Sequence, residues 1–246
     1  MLIKYLRLLT AFASAFATLW FKFPHASREQ KLAHIQAWST HVLRVMGVRL
    51  DIAPSSAFIW PHKTQLLVAN HVSWLDVLVI QALQPCVFVA KSEVRRWPLV
   101  GSMAQICGVV FVDRSSTSSA RKMVDDVASA LHHGYCVAGF PEGTSSEGYD
   151  VSLFHANLFE AAIHRHVEVL PLALRYTDTR TGKLCLNAAF VGDLGFIASL
   201  HQVIRESNLS VHVQIGKTLS PNGHTRRTLA HLSHRSVSNQ LQSLHA

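Results

Sequence analysis

LLVANHVSWLDVLVIQA, residues 66–82, holds two structural patterns side by side. Leu66–Ala69 is a short unbroken apolar run, the signature of a strand buried on both faces, and Trp74–Ala82 reads as a helix. Between them lies Asn70-His71-Val72-Ser73, with Ser73 placed to cap the helix. The same alternation recurs downstream. Val87–Ala90, Val109–Val112, Cys136–Phe140 and Val167–Leu174 read as strands, and Pro98–Ile106, Ser118–His132 and Leu153–His164 as helices. Further strands are expected at Lys183–Phe190 and Ser210–Lys217, with a closing helix from Thr225 towards Leu241. Alternation of this kind predicts an α/β fold, an αβ sandwich on a mixed, mostly parallel sheet.

Upstream of residue 50 the periodicity is purely helical. Leu8, Phe12, Phe16, Leu19 or Trp20, and Phe23 recur at steps of three and four until Pro24 stops the helix. Ser27 with Gln30 then forms a capping-box signal, and Gly47 marks the end of a second helix. In that helix Leu32, Ile35, Trp38, Val42 and Val45 line one side, while Arg28, Lys31, His34, His41 and Arg44 offer positive charge. An amphipathic two-helix hairpin at 1–49 is thus expected to precede an α/β domain at 50–246.

Charge divides along the same boundary. Residues 1–49 carry seven basic groups (Lys4, Arg7, Lys22, Arg28, Lys31, Arg44, Arg49) against Glu29, a net +6 of the chain's +8. Residues 50–216 hold 12 basic and 14 acidic groups, a net −2, and residues 217–246 add four basic groups and no acid. A near-neutral body with basic ends suits an anionic membrane surface better than a nucleic-acid groove. RNA-reading motifs and zinc-finger spacing are missing, so no nucleic-acid partner is expected. With 246 residues, 49% of them apolar, one buried core is affordable and disorder is excluded.

The longest run free of Asp, Glu, Lys and Arg is Trp97–Val112, 16 residues broken by Pro98, Gly101 and Gly108. The N-terminal run Leu8–Phe21 has only 14, against roughly 20 for a membrane span. A peripheral or monotopic protein on the cytoplasmic face of the inner membrane is expected. A cleaved signal peptide is the rival reading, with Lys4 and Arg7 before an apolar run and Ala15-Phe16-Ala17 as cleavage site. The apolar stretch is short for that role, and the basic stripe continues past it. Cys86, Cys107, Cys136 and Cys185 lack C-x-x-C spacing and read as buried free thiols.

Polar chemistry gathers at the strand ends, where α/β sheets bind ligands. His71 leaves the first strand with Asp76 close enough to fold back onto its ring, fixing the tautomer and leaving the second nitrogen as a base. Asp113 and Arg114 follow another strand, and Arg114 offers a planar fork for phosphate or carboxylate. Lys91 follows Val87–Ala90. Phe140-Pro141-Glu142-Gly143-Thr144 closes a fourth strand with a turn in which Gly143 admits close approach to the main chain. Singly, each has an ordinary structural explanation: a capping arrangement, a surface ion pair, a solvated turn.

Together, N-H-V-S-W-L-D at 70–76, F-V-D-R at 111–114, F-P-E-G-T at 140–144 and V-L-P-L at 169–172 resemble the glycerolipid acyltransferase family, in particular the bacterial 1-acylglycerol-3-phosphate acyltransferases. The resemblance implies that His71 and Asp76 are catalytic and that Arg114, Glu142, Gly143 and Thr144 bind the acceptor; Lys91, from its own strand end, is expected to be a further cation there. Pro171 falls in the block associated with the acyl donor. It also implies a membrane-docked helix pair, an acyl-CoA or acyl carrier protein thioester as donor, a lysophospholipid as acceptor, and no bound cofactor or metal. One departure bears on the acceptor. Relatives using a phosphate acceptor commonly carry Arg after F-P-E-G-T, where this chain has Ser145 and Ser146, and Phe154–Ala162 (FHANLFEAA) resembles the branch acting on lyso-ornithine lipid. Two other classes remain. A serine hydrolase lacks its G-x-S-x-G elbow here, and a silent membrane-binding relative would have lost His71 or Asp76.

Overall fold

In the computed structural model, which describes residues 1–53, 63–97, 99–113 and 117–244, the strands are β1 (Arg49–Ile52), β2 (Leu66–Ala69), β3 (Val87–Lys91), β4 (Val110–Val112), β5 (Val137–Gly139), β6 (Val169–Asp178) and β7 (Leu209–Ile215). They form one sheet in the order β1-β7-β6-β2-β5-β3-β4. Every neighbouring pair is parallel except β6 with β7, so the sheet is mixed and mostly parallel as expected. The helices are α1 (Leu2–Ala17), α2 (Arg28–Met46), α3 (Leu75–Leu83), α4 (Val100–Ile106), α5 (Thr117–His132), α6 (Asn157–Arg165), α7 (Phe196–Arg205) and α8 (Arg226–Ser243). A π turn at Thr18–Lys22 and a 3-10 turn at Phe23–His25 prolong α1.

Alternation of side chains across each strand builds two cores. Leu67, Ala69, Phe88, Ala138, Leu172 and Leu174 pack with residues of α1, α2, α3 and α7 on one face. Leu66, Val68, Val137 and Val169 pack with α5, α6 and α8 on the other. The chain leaves the sheet at Asn70 for a specific reason. Its side chain donates to the Leu174 carbonyl (2.9 Å) and accepts the Leu174 N–H (2.8 Å), standing in for one more residue of β2 while its own backbone turns away.

The capping box forms as predicted: the Ser27 hydroxyl accepts the Gln30 N–H at 3.3 Å and the Gln30 side chain accepts the Ser27 N–H at 2.8 Å. Three expectations need correction. Lys183–Phe190 is not a strand. It makes one antiparallel bridge, Leu184 to Thr177, and then a 3-10 turn at Leu186–Ala188. The next ladder position on β6 is closed to it, because Asn70 already holds both polar groups of Leu174. The helix expected from Leu153 begins at Asn157, since Ser152 and His155 spend their N–H groups on Glu142 and Pro141. Ser73 does not cap α3: the Asp76 carboxylate takes the N–H groups of Val72 and Ser73, and the Ser73 hydroxyl is left buried without a partner. Of the four free thiols, Cys86 and Cys136 are buried while Cys107 and Cys185 are half-buried.

Candidate active site

The carboxyl ends of β2, β3, β4 and β5 open into one cleft of about 1070 Å³. His71, Lys91, Asp113, Gly143, Thr144 and Ser145 line its polar end. The remainder is mostly apolar and runs under the N-terminal hairpin, past Trp74, Leu78, Phe88 and Met103 to Phe12, Ala15, Leu19 and Trp38. Its size sits at the top of the range for ligand pockets.

Asp76, in the first turn of α3, is fully buried. One oxygen, Oδ2, accepts from His71 Nδ1 at 2.7 Å and from the N–H groups of Val72 (2.8 Å) and Ser73 (2.9 Å). The other, Oδ1, accepts the Tyr176 hydroxyl at 2.7 Å. With a carboxylate as acceptor the proton sits on Nδ1, and Nε2 is left as the ring's lone-pair nitrogen. The imidazole lies flat on Phe140, ring centroids 4.1 Å apart and planes 9° from parallel. Distance, tautomer and ring plane are thereby all set before any substrate arrives.

Glu142 sits differently from its neighbours in the F-P-E-G-T turn. Its carboxylate accepts the His71 N–H at 2.6 Å and the Ser152 N–H at 2.7 Å, so both oxygens are engaged with main chain away from the cleft. Burial raises its pKa above the ordinary carboxylate value, opposed by those two N–H groups and by the nearby His71. Gly143 turns the chain at φ +79°, the left-handed region that favours glycine, with its N–H on the Phe140 carbonyl. Thr144 is exposed at the cleft, and Ser145 donates its hydroxyl to the Phe190 carbonyl. Phe190 in turn donates its N–H to Val72 at 2.8 Å, so one residue straps the His71 loop to the Ser145 turn. Arg114 lies outside the described residues; Asp113, beside it, borders the cleft. Among the described residues no three His, Cys, Asp or Glu side chains come together as a metal site.

Sequence reasoning missed Tyr176 and Phe190. Phe190 acts through its backbone and leaves no side-chain signal. Tyr176 comes from β6, 100 residues beyond Asp76, and lies two residues past the strand expected at Val167–Leu174, which the structure extends to Asp178.

A family model described as Acyltransferase matches residues 54–175, which contain His71, Asp76, Lys91, Arg114, Glu142, Gly143 and Thr144. A lyso-ornithine lipid O-acyltransferase of Pseudomonas aeruginosa is 37% identical over 72% of this chain and 67% of its own length. The chain belongs to the acyltransferase family. A 1-acyl-sn-glycerol-3-phosphate acyltransferase of Neisseria meningitidis is likewise 37% identical, over 60% of this chain, which spans only 57% of that relative's length. The crystal structure of a 1-acyl-sn-glycerophosphate acyltransferase from Thermotoga maritima shares the fold at 18% identity, TM-score 0.67, over 99% of this chain and 98% of that one. In this acyltransferase, then, the family's match ends one residue short of Tyr176.

Proposed function

We propose that this acyltransferase moves a fatty acyl group from a thioester of coenzyme A or acyl carrier protein to the free hydroxyl of a lysophospholipid, in membrane lipid biosynthesis. One observation carries the reading: an oriented His–Asp pair stands where a polar strand-end site meets a long apolar cleft. His71 Nε2 takes the hydroxyl proton as the acceptor oxygen attacks the thioester carbonyl. The tetrahedral intermediate then expels the thiolate, which leaves with the proton from His71. Such general-base help is worth about 10²–10⁴-fold. The acyl chain lies along the apolar part of the cleft, and Lys91, Thr144 and Arg114 attend the acceptor head group.

No protein nucleophile is needed on this route. The Ser73 hydroxyl is buried and unpartnered, with no base to activate it. Cys107 borders the cleft, but burial pushes its thiol up to about 11, which keeps it protonated at neutral pH. His71→Ala should abolish turnover with an unchanged melting curve; turnover near the wild-type rate would sink the mechanism.

For the acceptor we favour 1-acylglycerol-3-phosphate, with Arg114 and Lys91 as the cations that meet its phosphate. Lyso-ornithine lipid is the second reading. It draws on Ser145, which stands where phosphate-using relatives carry Arg and whose hydroxyl is spent on Phe190, and on the relative from Pseudomonas aeruginosa. Purified enzyme given both acceptors with each thioester decides between them. The reaction joins a soluble thioester to a membrane lipid, so the cytoplasmic face of the inner membrane is its proposed place.

A further inference from the structure

We propose that the Tyr176 hydroxyl is a positioning group for acyl transfer, locking the plane of the Asp76 carboxylate so that Oδ2 stays on the His71 Nδ1 proton. The inference rests on the reading of His71 as general base. Three of the four donors on Asp76 converge on one oxygen, Oδ2. A carboxylate held through one oxygen can still swing about it. The Tyr176 bond to Oδ1 supplies the second point and removes that freedom. It comes from β6, where Tyr176 pairs with Val211 of β7 on one side and accepts the Cys185 N–H on the other, so the donor stands on backbone held from both sides. Asp76 and Tyr176 are both buried and neither lines the cleft. Tyr176 therefore touches no substrate and acts through Asp76 alone. Burial and the adjacent Asp76 charge also push the phenol's pKa well above its usual value, so it remains a donor across the working pH range.

The test is a double-mutant cycle in the full chain, with kcat and both KM values read on lipid vesicles. Tyr176→Phe should lower kcat about tenfold while both KM values stay within about twofold. Added to Asp76→Asn, which removes the carboxylate to be positioned, Tyr176→Phe should cost less than about twofold more. A purely structural tyrosine would cost the same in both backgrounds, and that result overturns the inference. So does a wild-type kcat in Tyr176→Phe. If Tyr176→Phe fails to fold alone but folds with Asp76→Asn, the hydroxyl serves to stabilise the buried carboxylate instead of positioning it, and the inference is overturned, as it is by failure in both backgrounds. These failures are separable from failure of the mechanism, which shows as turnover surviving His71→Ala.

Discussion

Glu142 carries a conflict on a single carboxylate. Its two oxygens join the His71 loop to the Ser152 segment through main-chain N–H groups, yet burial penalises the charge that makes it a good double acceptor. In Glu142→Gln one of those N–H groups faces an amide NH₂ instead of an oxygen, at a cost of about 1–3 kcal/mol. The pH dependence follows from the raised folded-state pKa. The stability it contributes is full below the unfolded value and is lost as pH rises through the folded one, because only the ionised form suffers from burial. Glutamine has no such titration. The melting temperature of the wild type should therefore gain on that of Glu142→Gln as pH falls from neutral into the raised carboxylate range. A gap that narrows on acidification would contradict the assignment. On the neighbouring pair, Asp76→Asn should keep the fold but leave His71 without its oriented tautomer, lowering kcat by about 10³–10⁴-fold. Steady-state kinetics on the purified variant measures it, and a loss below tenfold would show that Asp76 is dispensable for orientation.

Two basic residues from the hairpin are spent on the body of the protein. Lys4 Nζ donates to the carbonyls of Met46 (3.0 Å), Ile204 (3.1 Å) and Glu206 (3.1 Å), closing the ends of α2 and α7 together. Gly47, at φ +81° just past α2, leaves room for it; a Cβ there would stand 3.2 Å from the ammonium. Arg28 donates to His133 (2.7 Å) and Gly134 carbonyls after α5 and lies over the Tyr135 ring at 4.1 Å. Lys4→Met keeps the stem and removes the donors, so it should cost about 2 kcal/mol, roughly 4–8 °C in Tm, with faster proteolysis of the hairpin. An unchanged melting curve would mean that the three carbonyls find water instead. Such tertiary use of charge was not legible in the sequence, where Lys4 and Arg28 count simply towards a basic face. Elements with strong local patterns were legible: β2, β3 and α5 lie within a residue of their expected bounds. The four-residue edge strand β1 (Arg49-Leu50-Asp51-Ile52) is half charged and carries no apolar run. The helix α7 has helical spacing at Phe196, Leu200, Val203 and Ile204 but is preceded by Gly195, which has no side chain to cap it. At the site, chain order revealed His71, Lys91, Gly143 and Thr144 at the strand ends. The inward turn of Glu142 and the reach of Tyr176 depend on how β6 and the 140s turn pack, which no local pattern encodes.

At the scale of the molecule, α1 presents one face that is buried and one that is exposed. Leu8, Ala11, Ala15, Leu19 and Phe23 are buried against the protein, and the Trp38 indole N–H is bonded to the Ala11 carbonyl at 3.0 Å. On the opposite side Leu2, Ile3, Leu6, Leu9, Trp20 and Phe21 are 61–83% exposed. The continuous helix Leu2–His25 has 24 residues, long and apolar enough to cross a bilayer by length and composition, which the 14-residue run alone did not suggest. Crossing would require the buried face to leave α2 and Lys4 to surrender three carbonyls. Lying in the interface would require neither. Burial of each exposed leucine in lipid contributes about 1.5–2 kcal/mol, so replacing two of them by charge should be decisive. Leu6→Glu with Leu9→Glu should reduce sedimentation with anionic vesicles about 100-fold or more, leave the melting curve unchanged, and spare turnover of a water-soluble short-chain acceptor. If the double variant still sediments with the vesicles, the exposed side of α1 is not the surface that meets the membrane. If it loses turnover of the soluble acceptor as well, α1 is shaping the cleft from its outer side too, and the division between its two faces fails.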